Sequence, residues 1–362
     1  LTCPSPRGEG IIPQSGRAIQ TMKVLITGIT GRVGANLARQ FLQNGHDVRG
    51  FVWPGDRQTE KMRSVGAEIV EGDLASSADV SAAAEDQEVI LHLGAAFQAG
   101  GPFTPEQYMD TNVKGTFNVL QAALGLGDRL KHVILTSTDA TMFKYPPNGI
   151  DTPVAEDSLP LVSTDWYGYS KVLCENLVDR YCRHENLRAT VIRFASVWGA
   201  GEILKFPAFH LSTYLKQFEN RTDDAGKSTY QRLRDEDAAG GARLIVARDA
   251  SGRPWKKHII EVRDIVHAYE VAVGNPNTFG RVYQIGAKEP FTWDALVPYM
   301  SEATGIPYST VDLATRPTFY EYDLSAARND FGYDPQLSVY DMVDEALRFN
   351  SEGGGEIIPT SV

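Results

Sequence analysis

The 362-residue sequence predicts an α/β protein: a doubly wound parallel sheet with a smaller mixed α/β C-terminal domain. Three observations carry that prediction. Short apolar runs alternate with helical patterns through the first half of the chain, the first run ends in a glycine turn, and the alternation degrades after Phe194. Strand signals alternating with helix signals imply strands buried on both faces and covered by helices.

The first run, Lys23-Val24-Leu25-Ile26-Thr27, reads as a buried strand. It enters Gly28-Ile29-Thr30-Gly31-Arg32-Val33-Gly34, after which residues 35–44 read as a helix closed by Gly45. Glycines at such a turn let the backbone approach a pyrophosphate, whose charge is drawn to free N–H groups and the positive end of the helix dipole. The spacing, Gly-x-x-Gly-x-x-Gly, is one residue wider than the common dinucleotide fingerprint, and a turn of this kind also simply joins strand to helix. Further apolar runs at 47–53, 67–70, 88–93, 132–136 and 188–194 extend the sheet. Ligands bind these sheets beyond the carboxyl ends of the strands. Gly72-Asp73-Leu74, His92-Leu93-Gly94-Ala95-Ala96 and Thr136-Ser137-Thr138-Asp139 fall at those ends.

In Tyr167-Gly168-Tyr169-Ser170-Lys171 a phenol and an ammonium four residues apart share one face of a helix. A tyrosine of ordinary pKa, about 10, is a poor acid or base near neutrality, but a fixed neighbouring positive charge favours the phenolate. The pair suits proton transfer at an alcohol or carbonyl.

Hydrophobic residues make up 42% of the chain, enough for a large core, and the length is a prior for two domains. A net charge of -11 and a pI near 5.2 argue against a nucleic-acid partner. No window approaches the roughly 18 apolar residues of a membrane span. With three cysteines the expectation is a cytoplasmic protein with free thiols and neither a disulfide nor a metal framework; Cys174 and Cys182 read as packing residues on one helix. Residues 1–21 read as a disordered leader and 22–195 as a dinucleotide-binding domain with a return segment near 255–285. Residues 196–254 and 286–350 read as a substrate domain, and 351–362 as a flexible tail. Within the substrate domain, the charged stretch 218–242 reads as an insertion or lid before a strand at 243–248, with a solvated loop that takes no part in catalysis the favoured alternative.

Taken in order, the motifs resemble the extended short-chain dehydrogenase/reductase family, the group of sugar-nucleotide epimerases, dehydratases and related reductases, over about residues 22–349. They are the Gly28/Gly31/Gly34 turn, Gly72-Asp73-Leu74, His92-Leu93-Gly94-Ala95-Ala96, Asn112-Val113-Lys114-Gly115-Thr116, Thr138, Tyr167 with Lys171, and Arg193-Phe194-Ala195-Ser196-Val197-Trp198-Gly199. Val262-Arg263-Asp264, Val282-Tyr283-Gln284-Ile285-Gly286 and Tyr322-Asp323-Leu324-Ser325 continue the likeness. The resemblance implies a Rossmann-type sheet and an NAD(P)(H) cofactor held by Gly28, Thr30, Gly31, Arg32, Val33, Gly34, Asp73, Leu74, Leu93, Gly94 and Ala95, with Asp73 near the adenine. It implies Tyr167 as catalytic acid or base, Lys171 as the charge that lowers its pKa and binds the nicotinamide ribose, and Thr138 as a hydrogen-bond partner of the reacting oxygen, with Ser137 a rival. His92 is expected to be a packed strand residue and Asn112 largely structural. Helices around 107–124 and 168–183 correspond to those that form a homodimer in the family.

Departures from the family bear on cofactor and substrate. Members that prefer NAD carry an acid at the end of the second strand, where this chain has Val52, followed by Trp53 and Pro54. Arg32 and Arg57 are candidates for a 2′-phosphate and Trp53 for packing on adenine, so NAD and NADP both stay open. Ser196 stands where sugar-nucleotide epimerases usually have Asn, Lys257 holds the register of a basic diphosphate contact, and Arg316 resembles another. Thr138-Asp139-Ala140 lacks the glutamate of the dehydratases, and Asp139 also reads as a cap of the following turn. The expected activity is hydride transfer on a small-molecule substrate, a sugar, nucleotide sugar or polyol, by an epimerase or a dehydrogenase/reductase. An NADPH-dependent reductase of a non-sugar carbonyl, of the dihydroflavonol reductase kind, is the alternative; a non-catalytic dinucleotide sensor is a further one.

Overall fold

A computed structural model describes residues 21–97 and 102–360. The expected leader, and Cys3 with it, therefore lies outside the described residues apart from Thr21. The chain begins with β1 (Lys23–Thr27), α1 (Arg32–Gln43), β2 (Asp47–Val52), α2 (Thr59–Ser64), β3 (Glu68–Glu71), α3 (Ser77–Ala84) and β4 (Val89–His92). Next, α4 (Pro105–Tyr108) opens on a capping box in which the Gln107 N–H donates to the Thr104 hydroxyl and the Gln107 side chain accepts from the Thr104 N–H. It continues through a π-helical stretch, Met109–Lys114, into α5 (Gly115–Gly125). β5 (His132–Thr138), α6 (Trp166–Glu185) and β6 (Ala189–Phe194) complete the alternation.

After β6 the chain passes into the smaller domain. β7 (Ser196–Trp198), α7 (Leu211–Phe218), α8 (Asp224–Asp237), β8 (Leu244–Arg248) and β9 (Lys256–Lys257) precede the return through β10 (Ile259–Glu261), α9 (Val262–Ala272) and β11 (Val282–Ile285). β12 (Phe291–Thr292), α10 (Trp293–Thr304), β13 (Tyr308–Asp312), α11 (Ser325–Phe331) and α12 (Val339–Glu352) follow. The main sheet runs β11-β6-β5-β4-β1-β2-β3, with every pair parallel. Ligand crevices in this topology open where the strand order reverses, between β1 and β4.

Side chains alternate across the sheet, as a strand of period two requires. Leu25, Ile90, Val133 and Val191 pack with Val119, Leu120, Cys174 and Val178 of α5 and α6. Ile26, Leu91, Ile134 and Ile192 pack instead with Leu37 and Phe41 of α1 and Ile265 and Tyr269 of α9. The smaller domain has its own core around Phe209, Tyr214, Phe218, Trp255, Trp293 and Leu296, tied by parallel β8 and β13 and antiparallel β9 and β12.

Three expectations change here. β5 runs to Thr138, two residues beyond the expected end, and so delivers that hydroxyl to the sheet edge. Much of the stretch expected as an insertion, lid or solvated loop is the helix α8, capped where Asp223 accepts from the Gly226 N–H and anchored by buried Thr229 and Leu233. Its outer face carries charge because it is solvated, and that obscured the cap. The tail expected to be flexible is docked through residue 360: Ile357 is buried, and Asn36 exchanges hydrogen bonds with the Ile358 backbone at 2.8 and 3.1 Å.

Candidate functional site

The crevice forms because two strand ends nearly touch. Gly28 has φ +70°, and a Cβ there would sit 2.8 Å from Gly94 Cα, so only glycine permits the approach. The resulting cleft of about 410 Å³ is lined by Gly28, Thr30, Trp53, Asp56, Asp73, Leu74, Gly94 and Ala95 among others. Gly31 caps α1 without a side-chain hydrogen bond, leaving the first N–H groups of that helix for an anion. A glycine cradle, an uncapped helix start and strand-end side chains fit a dinucleotide: the turn would hold the pyrophosphate, and the Asp73-Leu74 side the adenosine.

Placement within the cleft is uneven. Asp73 Oδ1 accepts from the Ala75 N–H at 2.8 Å, and Leu93 approaches the Gly28 turn through its backbone. Val33 is buried beneath the turn, and Trp53 is 62% exposed at the rim. Arg32 turns away to Glu202, with Nη2 to Oε1 at 2.8 Å and Nε to Oε2 at 2.6 Å, while the Gly199 N–H holds Oε2 at 2.7 Å. Arg57 is exposed and does not line the cleft. Neither arginine stands where a 2′-phosphate contact was expected of it.

Beside this cleft, α6 starts where Asp165 accepts from the Gly168 N–H at 2.8 Å. A Cβ on Gly168 would lie 2.4 Å from the Ala140 carbonyl oxygen, so glycine lets the first turn of α6 press against the loop after β5. That approach brings the Tyr167 side chain next to Thr138, which acts to lower its pKa. The Tyr167 ring packs edge-on against Phe97 at 5.7 Å. Thr138, not Asp139, caps the following turn, accepting from the Ala140 N–H at 3.2 Å. Lys171 is buried one turn further along α6.

The electrostatics differ from the expectation that Lys171 draws the phenol down. Burial pushes the Tyr167 pKa well above its ordinary value, the Asp139 and Asp165 carboxylates add to the rise, and the Thr138 hydrogen bond opposes it. Burial likewise lowers Lys171, against the influence of Cys174 and Glu175. Tyr167 is therefore kept protonated.

Beneath the pair lies a satisfied polar scaffold. Asn112 accepts from the Ala96 N–H at 2.7 Å and donates to the Ala96 carbonyl at 3.1 Å and to Ser170 Oγ at 2.8 Å, tying the cleft to α6. His92 sits between Thr27 and Thr116 at 2.8 and 3.1 Å, and burial lowers its pKa to about 3. Ser137 points to the opposite side of β5 from Thr138 and donates to Glu175 Oε1 at 2.5 Å.

On the substrate side, buried Asp139 pairs with Lys144 and accepts from the Tyr322 hydroxyl at 2.7 Å. Against the cost of burial, the Asp139 charge raises the Lys144 pKa. Lys257 is also buried, yet its ammonium lies over the Phe206 ring at 4.7 Å and pairs with no carboxylate among the described residues. Burial, then repulsion from Lys144, lowers its pKa to about 8. Trp198 also packs on Phe206, at 4.7 Å, and its buried Nε1 has no acceptor among the described residues. Ser196 is half-buried at the start of β7, and Arg316 is exposed.

Thr138 and Tyr167 thus come together, Lys171 lies buried one turn along the same helix, and the glycine turn joins the Asp73 and Gly94 loops in one cleft. Of the expected site residues, Gly28, Thr30, Trp53, Asp73, Leu74, Gly94 and Ala95 line that cleft, whereas Thr138, Tyr167 and Lys171 lie beside it and Ser137, Arg32, Arg57 and Arg316 stand outside it. Lys144 and Asp56 were not singled out from sequence. Asp56 had a readable signal, a carboxylate immediately after the Pro54-Gly55 turn that ends β2.

A sequence model described as the NAD dependent epimerase/dehydratase family matches residues 24–286. The chain is 28% identical over 347 residues to a 2-alkyl-3-oxoalkanoate reductase of Stenotrophomonas maltophilia, spanning 90% of this chain and 98% of the relative. It is 31% identical over 192 residues to a probable UDP-glucuronate 4-epimerase of Rhizobium meliloti, 49% of this chain and 54% of that one. Among solved structures, a short-chain dehydrogenase/reductase superfamily protein from Agrobacterium tumefaciens with bound NAD aligns with a TM-score of 0.78 at 29% identity, covering 91% of this chain and 98% of that chain.

Proposed function

Because this chain belongs to the NAD dependent epimerase/dehydratase family, we propose that it moves a hydride at a carbinol or carbonyl carbon of a sugar, nucleotide sugar or polyol, with Tyr167 handling the proton. It is an NAD(P)-dependent enzyme of the epimerase, dehydratase or reductase group. A bound nicotinamide dinucleotide supplies the hydride acceptor or donor.

The observation that carries this reading is the placement of Tyr167 next to Thr138, at the end of β5 and the start of α6, beside the dinucleotide cleft. Two hydroxyls converging there hold one substrate oxygen from two sides. Tyr167, kept protonated by burial, delivers a proton to that oxygen as a carbonyl is reduced. Lys171 is buried one turn further along α6, on the face it shares with Tyr167. On the far side, Asp139, Lys144 and Tyr322 offer a polar floor for hydroxyl groups, and Lys257 with Trp198 Nε1 offers donors to an anionic substituent.

A second reading, reduction of a non-sugar carbonyl, is favoured by one observation. Ser196 and exposed Arg316 leave Lys257 as the buried cation of this region that lacks a carboxylate, which suits a single carboxylate better than a diphosphate. Likeness to the 3-oxoalkanoate reductase over nearly its whole length agrees. Turnover measured against nucleotide sugars and against 3-oxo acids separates the two. If Tyr167→Phe left every such turnover unchanged, the proton-transfer role would be lost. We also assign a homodimer contact to the outer faces of α5 and α6, where Phe117, Trp166 and Tyr169 are 43%, 50% and 45% exposed; monomers alone in sedimentation at micromolar concentration would exclude it.

A further inference from the structure

The end of β2 carries no acid, yet the cleft contains one. Asp56 follows the Pro54-Gly55 turn and lines the cleft together with Val52 and Trp53 at the end of β2. One carboxylate oxygen accepts from the Thr30 hydroxyl of the glycine turn at 2.6 Å, and the other from the Gln58 N–H at 2.8 Å. An ionised carboxylate has about four lone-pair sites, so Asp56 is fixed in position and retains acceptor capacity toward the cleft.

Two of the cations near this wall, Lys61 and Arg32, are already committed. Lys61 donates its ammonium hydrogens to the Thr30 carbonyl at 3.0 Å, to Gln58 Oε1 at 2.9 Å and to the Pro359 carbonyl at 3.2 Å, which accounts for all three. Thr360, donating to the same Gln58 Oε1 at 3.1 Å, holds the docked tail against that cluster. Arg32 is held in its bidentate contact with Glu202, and Arg57 lies outside the cleft. Among the described residues that line the cleft there is no guanidinium or ammonium, so a phosphate entering beside Asp56 meets a carboxylate.

We infer that Asp56 is the cofactor-selecting residue of this protein: it accepts a hydrogen bond from the adenosine ribose and rejects a 2′-phosphate, making the site selective for NAD(H) over NADP(H). The carboxylate reaches the ribose from the loop beyond β2 instead of from the strand end, and the Thr30 hydroxyl and Gln58 amide fix its direction. This inference rests on the cleft being the dinucleotide site proposed above.

The test is binding, which needs no substrate. Dissociation constants of the full chain for NADH and NADPH are measured by calorimetry and by quenching of the fluorescence of Trp53, which lines the same wall. The wild type is expected to hold NADH at least about tenfold more tightly than NADPH. Asp56→Asn, which keeps an acceptor but removes the charge, is expected to bring the two within about threefold, mainly by tightening NADPH. Equal or tighter binding of NADPH by the wild type overturns the inference, whatever becomes of the variant. So does an NADH preference that persists undiminished in a folded Asp56→Asn protein. Failure of the wild type to bind either nucleotide overturns the dinucleotide site itself, an outcome distinct from both.

Discussion

Arg193 and Glu175 form a two-pronged ion pair beneath the candidate catalytic helix, with Nη2 to Oε2 at 2.7 Å, Nε to Oε1 at 2.9 Å, and each side chain only 4% exposed. The Ser137 hydroxyl completes the Glu175 shell, and the Glu156 carbonyl accepts from Arg193 Nη1 at 2.7 Å. Removing one partner of such a pair strands the other in a medium that cannot solvate it. Glu175→Gln is therefore expected to lower the free energy of unfolding by about 3–5 kcal/mol in urea titrations. Ser137→Ala, by contrast, is expected to cost stability while leaving substrate KM unchanged, because its hydroxyl serves Glu175.

Tyr167→Phe keeps the ring against Phe97 and removes only the hydroxyl group. A fall in kcat/KM of about 10²- to 10⁴-fold is expected, with the dissociation constant for the dinucleotide changed less than about twofold. Because burial holds the phenol above its ordinary pKa, reduction is expected to be flat in pH through neutrality, and the reverse oxidation to rise with pH. Steady-state rates in both directions between pH 6 and 9 check the pair of slopes.

Lys257 makes opposite predictions for stability and for binding. Its folded pKa of about 8 lies below the ordinary 10.5, so its stabilising contribution is present above pH 10.5 and is lost as pH falls through 8. Lys257→Met is thus expected to be more stable than the wild type at pH 7, by about 1–3 kcal/mol in thermal or urea unfolding. The same change is expected to raise KM for an anionic substrate at least about tenfold. In the wild type that KM is expected to climb as pH passes about 8, where the ammonium facing Lys144 and Asp139 loses its proton.

Glu261, at the start of α9, is displaced the other way. Burial pushes its pKa up to about 7, against the attraction of Arg263. An acid whose folded pKa exceeds its unfolded 4.5 contributes stability that is complete below pH 4.5 and lost as pH rises through 7. Between pH 5 and 8 the wild type is expected to lose about 2–3 kcal/mol relative to Glu261→Gln, read as a widening gap between their urea midpoints.

What was legible in the sequence was local or ordered along the chain. The Gly28 turn, the strand ends and the Tyr167 to Lys171 spacing are short-range patterns, and their order specified one sheet with one crevice. What was hidden depended on distant partners or on direction. Arg32 looked available for phosphate because Glu202, 170 residues later, was not visible as its partner. Ser137 and Thr138 looked interchangeable, although a period of two along β5 already puts adjacent hydroxyls on opposite faces. The phenol looked depressed by Lys171 because spacing reports proximity but not burial. The α8 helix was missed because its buried residues are few and its cap is an ordinary aspartate.

The docking of residues 357–360 also sets the order in which this protein can become complete during synthesis. The backbone of Ile358 serves Asn36, 322 residues earlier, and the Pro359 carbonyl serves Lys61, 298 residues earlier. The nucleotide-binding half leaves the ribosome long before those partners exist, with the groove for Ile357 open and one donor of Lys61 still facing water. That half therefore reaches its final form only after the entire smaller domain has been made, and a nascent chain halted before residue 357 carries an unfinished wall beside Asp56.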